Sequence, residues 1–76
     1  MTGILEAAKK GLAGNTGFAS PEALSVRDYG GLFLVVVSVT EPVTGGAGLS
    51  RSYEVAVDSA GELHGYRPLP VAAAPF

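Results

Sequence analysis

The chain has 76 residues, a formal net charge of −2, a hydrophobic share of 47%, 11 glycines and no cysteine. That length fills one core and not two, and the lack of cysteine excludes disulfides, thiolate metal sites and a cysteine nucleophile together. The charges are dispersed and the longest apolar run, residues 32–39, is less than half the ~20 residues of a membrane helix, so neither nucleic acid nor a membrane is an expected partner.

Residues 2–13 read as an amphipathic helix, with Thr2 as a cap and Ile4, Leu5, Ala8 and Leu12 recurring on one face. Glu6 and Lys10 are spaced to pair on the exposed side. Lys9 and Lys10 lie near the expected C-terminal end, where Gly14-Asn15 can take the left-handed stop conformation. Both lysines follow the first apolar residues instead of preceding them, so no secretory leader is expected and the cytoplasm is the expected compartment. Ser20-Pro21-Glu22 resembles a helical first turn, and residues 23–27 form either its continuation or a short edge strand. Asp28-Tyr29-Gly30-Gly31 is a turn whose glycines permit positive φ.

Residues 32–40, rich in β-branched side chains and ended by Glu41-Pro42, predict the central strand. Phe33, Val35, Val37 and Val39 point one way and Leu32, Leu34 and Val36 the other, so both faces are apolar. A single helix covers one of them. The second face then requires the C-terminal tail, another copy of the chain or a foreign partner, and a protein partner or self-association is therefore expected. After a glycine-rich link over residues 43–49, residues 50–58 alternate as a half-buried strand. Asp58-Ser59-Ala60-Gly61 fits a type I turn closed by a glycine bulge, with residues 62–67 returning as the partner strand. The expected register sets Val57 against Leu63, Val55 against Gly65, Tyr53 against Arg67, Ala56 against His64 and Glu54 against Tyr66. Pro68 is expected to stop this ladder, and residues 68–76 form an apolar tail rich in proline and alanine beyond a single domain of residues 1–67.

No chemistry-bearing constellation stands out. His64 is the single histidine, with no second ligand to complete a metal shell. A nucleophilic arrangement would have to join it to Ser50 or Ser52 and Glu54 on the neighbouring strand. Glu54, Asp58 and Glu62 read as solvent-face charges. The segment Thr44-Gly45-Gly46-Ala47-Gly48 has no lysine after it and precedes a strand, unlike a phosphate-binding loop. No cofactor, metal or small-molecule substrate is expected, and the chain reads as a non-enzyme. Tyr53, Tyr66 and Arg67, with Leu69 and Phe76 of the tail, are of types that anchor protein interfaces and are the candidate partner-binding residues.

The string from Tyr53 to Arg67, a tyrosine, an alternating strand, Asp58-Ser59-Ala60-Gly61 and the ending Gly65-Tyr66-Arg67, resembles the C-terminal signature of the gas vesicle protein O family. The upstream layout is similar too: a helix of Ala-Ala-Lys-Lys-Gly-Leu-Ala type, a glycine-containing link, a Ser-Val-Arg segment, a turn and a valine-rich strand. The chain departs from that family in its glycine-rich 42–49 connection and its apolar finish after Pro68. The peptidase-propeptide PepSY-like fold has a similar strand-turn-strand ending. The expected architecture is α+β, an N-terminal helix on a three-stranded antiparallel sheet in α-β-β-β order. The expected role is a non-catalytic interaction module in a larger assembly, gas vesicle formation being the one the resemblance implies. A small phage-type virion component or an inhibitor of a host protein is the alternative.

Overall fold

The computed structural model describes residues 2–46 and 48–70. Helix α1 (Thr2–Thr16) is followed by strands β1 (Ala19–Tyr29), β2 (Leu32–Glu41), β3 (Leu49–Asp58) and β4 (Leu63–Pro68), which form one antiparallel sheet in the order β1-β2-β3-β4. The α+β class holds, and the sheet has four strands where three were expected.

The helix runs past Gly14, because Ala13 to Thr16 keep their backbone bonds and side chains finish the last turn. Asn15 Nδ2 donates to Gly11 O at 2.7 Å and Thr16 Oγ1 donates to Leu12 O at 2.8 Å. The left-handed stop residue is Gly17 (φ 73°), whose N–H donates to Ala13 O at 2.7 Å. This extension leaves Lys9 and Lys10 away from the helix end. Glu6 pairs with Lys9 at 3.0 Å and not with Lys10 as the sequence spacing had suggested.

Residues 20–27 are part of an edge strand and not a helical turn. Irregularities between Ala19 and Glu22 and between Ala23 and Ser25 break the alternation, and Ser20 takes a left-handed φ of 53° before Pro21. The helix-like Ser-Pro-Glu signature is thus used as a bulge. Tyr29 pairs with Leu32 across Gly30 (φ 61°) and Gly31 (φ 99°), the two positive φ values of a type I′ hairpin turn. Asp28 Oδ1 accepts from Gly31 N at 3.3 Å.

The core lies between α1 and one face of the sheet. Ala8 and Leu12 from the helix meet Val35, Val37 and Val39 of β2 and Val55 and Val57 of β3, all essentially solvent-free. Ile4, Leu5, Phe18, Val26, Phe33, Tyr53 and Leu63 pack around them. As the alternation of 32–40 requires, these are the odd-numbered residues of β2. Arg51, in register with Val39, places Nε 2.8 Å from Glu41 Oε1 on the same side; its N–H is not aligned for a hydrogen bond, leaving an ion pair.

The β3–β4 hairpin turns as expected, with Gly61 (φ 85°) donating to Asp58 O at 2.9 Å and Asp58 N donating to Glu62 O at 3.0 Å. Its register is correct at Val57–Leu63 and then shifts by one: Ala56 meets Gly65, Val55 meets Tyr66, Glu54 meets Arg67 and Tyr53 meets Pro68. The irregularity falls beside His64, which has no opposite number. Shifting the strand there brings the bulky Tyr66 to the core side, where the expected register would have left a glycine, and sets Arg67 against Glu54. Pro68 does not end the ladder, since Leu69 N donates to Ser52 O at 2.9 Å. That inward-pointing N–H puts the Pro68 nitrogen on the free edge, where no donor is needed.

Candidate interaction surface

The even-numbered side chains of β2 lie on the face turned away from α1. Leu32, Leu34 and Val36 are half-buried there, shielded by cross-strand neighbours and, among the described residues, not by a second layer. The rows are explicit in the register. Arg27, Leu34, Ala56 and Gly65 form one row across all four strands, and Ser25, Val36, Glu54 and Arg67 form the next. On the other side, Tyr29, Leu32 and Asp58 align.

Polar side chains border this apolar centre. On the β1 side Arg27 Nη1 donates to Tyr29 Oη at 3.2 Å, and it makes no ion pair with a carboxylate among the described residues. Toward β4, Arg67 Nε and Nη2 both approach Glu54 Oε1 at 2.9 Å. Between the two borders lies a shallow groove of about 190 Å³ lined by Leu34, Glu54, Ala56, Gly65, Tyr66 and Arg67. A Cβ added at Gly65 would meet nothing within 4 Å, so the floor is open at that point.

At the hairpin end Asp58 is a hub. Its Oδ1 accepts from Ala60 N and Glu62 N, each at 2.9 Å, and its Oδ2 lies 2.8 Å from His64 Nε2. The histidine hydrogen bond is the main cause, with the backbone bonds assisting, that holds the Asp58 carboxyl below its ordinary value. With a proton on Nε2 the imidazole is the donor. His64 is held at Asp58, about 20 Å along β3 from Ser52 at ~3.4 Å per residue, and Glu54 is paired with Arg67, so the histidine of the nucleophilic arrangement is not brought to Ser50, Ser52 and Glu54.

The candidate partner-binding residues are divided between the faces. Tyr53 sits on the core side with its ring centroid 6.3 Å from Phe18 and 6.0 Å from Tyr66. Tyr66 is 40% exposed at the border of that cluster, Arg67 is on the opposite face and Leu69 is half-buried at the end of β4. Phe76 lies outside the described residues. Sequence reasoning did not single out Arg27, Ala56 or Gly65, because their alignment depends on the pairing of β1 and on the β4 bulge.

Among the described residues no group of three or more His, Cys, Asp or Glu could hold a metal ion, and no helix is long and apolar enough to cross a membrane. Comparison with protein-family models, curated proteins and solved structures found no match.

Proposed function

We propose that this chain is a non-catalytic, cytoplasmic interaction module that works as a subunit or accessory of a larger protein assembly, docking through the sheet face opposite α1. Gas vesicle formation is the assembly suggested by the resemblance of the Tyr53 to Arg67 segment. The observation that carries the reading is the position of β2. It is an inner strand whose second apolar side, Leu32, Leu34 and Val36, has no helix over it among the described residues. An inner strand of an antiparallel sheet that faced only water would ordinarily carry polar residues there.

The test compares wild type with Val36→Asp in the source cells. Wild type is expected to elute in a complex larger than one chain and the variant to elute as a free chain, with matching circular dichroism for both. A wild-type chain of monomer mass in lysate and after purification, unchanged by the substitution, would defeat the reading.

A further inference from the structure

We infer that the occupant of the open sheet face is a second copy of the same chain, related by a two-fold axis that runs parallel to the strands between β2 and β3. This rests on the docking face proposed above and adds the partner and the geometry. The row Arg27, Leu34, Ala56, Gly65 reads large, large, small, small across the sheet. A two-fold axis parallel to the strands reverses the strand order of the facing copy and leaves each row opposite itself. Leu34 then stands over the partner's Ala56, and Arg27 over the partner's Gly65, where the floor is open. Large meets small at every position of the row, which is the self-complementarity an isologous interface needs. A two-fold axis perpendicular to the strands would instead set β1 on β1, bringing Arg27 near its own copy and Leu34 onto Leu34.

Aligned sheets cross at about 30°, so the central row superposes most closely, and the flanking rows, which strict alignment would bring together as Val36 on Glu54 and Leu32 on Asp58, are rotated out of direct opposition. Strands about 4.8 Å apart and rows about 7 Å apart give a footprint on the order of 400–500 Å² per copy. The total, about 800–1,000 Å², is at the small end for a specific interface and fits a dimer that dissociates on dilution.

The absence of cysteine from the chain allows a direct test of the axis. Facing sheets stand about 10 Å apart, too far for a disulfide, so a short bis-maleimide is the suitable reagent. Mixed Arg27→Cys and Gly65→Cys chains, whose backbones would face each other at about 10 Å while each stands about 17 Å from its own copy, are expected to cross-link to each other at least about tenfold faster than either does to itself. In sedimentation velocity the wild-type chain is expected to pass from dimer to monomer on dilution. Leu34→Asp should weaken the dimer by at least about tenfold, as should Gly65→Phe, which fills the open floor beneath the partner's residue 27 and spares the core. A purified chain that stays monomeric at every concentration, or Arg27→Cys chains that link mainly to themselves, would overturn this inference. The broader reading would survive that outcome if Val36→Asp still released the chain from its complex in cells.

Discussion

The two faces of β2 should respond differently to the same truncation. Leu12 is the largest helix side chain in the core and is fully buried, whereas Leu34 is half-buried on the face turned away from α1. Leucine to alanine removes three carbons, worth about 2.4 kcal/mol of transfer at ~0.8 kcal/mol each. Under α1 the vacated space is closed, so a cavity contribution raises the cost of Leu12→Ala to about 3–4 kcal/mol. On the open face part of the transfer is lost in advance to exposure and water fills the gap, so Leu34→Ala should cost about 1–2 kcal/mol. A domain of this size has on the order of 4–5 kcal/mol in total, so Leu12→Ala should be close to its unfolding midpoint in water, while Leu34→Ala remains folded. Urea titrations followed by far-ultraviolet circular dichroism, at concentrations low enough to hold the chain monomeric, measure the difference. Equal losses for the two variants would mean that the second face is sealed in the single chain, and the argument for a docking surface would fail with it.

Other consequences follow from the same geometry. Gly31→Ala forces a side chain into a φ of 99° in the β1–β2 turn and should cost about 1–2 kcal/mol, whereas Gly65→Ala, with open space around its Cβ, should be neutral or gain a few tenths; thermal melts distinguish them. Tyr53→Ala should lose about 3 kcal/mol through its contacts with Phe18 and Tyr66, while Arg67→Ala, which removes a surface ion pair, should lose no more than about 1 kcal/mol in urea titration. The depressed Asp58 carboxyl contributes stability that is fully present above its ordinary value of 3.8 and disappears as pH falls through the lower folded value. Asp58→Asn keeps an oxygen for the turn but no charge, so its stability should fall less steeply than that of wild type through that acidic window, read from urea midpoints at successive pH values.

Where the chain followed a simple period, its structure was legible from residue order alone. Strand β2 with its buried odd-numbered valines, the Gly30-Gly31 turn and the Asp58 to Gly61 turn all follow from local chemistry that tertiary contacts had only to accept. Strand β1 was legible only as one of two alternatives for residues 23–27, because Ser20 and the irregularities beside it break the alternation that identifies a strand, and Ser-Pro-Glu imitates a helix start. The hairpin register was correct for one pair and then failed, since a bulge residue such as His64 carries no mark in composition. For the candidate site, the apolar second face of β2 was visible in the sequence. The row that gives this face its shape was not, because it joins residues from all four strands through the two pairings that irregularities displace.

Those same irregularities bear on how the sheet can associate. A strand at a sheet edge offers unpaired backbone groups to any neighbour, and both edges here are interrupted. In β1 the left-handed Ser20, Pro21 and two register shifts leave only Ser25 to Tyr29 in regular pairing. In β4 the irregularity at His64 and Pro68 near the end shorten the regular stretch further, and the Pro68 nitrogen on the free side has no hydrogen to give. Extension of the sheet strand by strand therefore meets an obstacle at either margin. Among the described residues its broad face has none: the groove over Ala56 and Gly65 is open, and Leu34 of β2 borders it. Association through the face requires no backbone pairing, so the interruptions that disable the edges leave it intact and favour closed, face-to-face contact over open-ended growth.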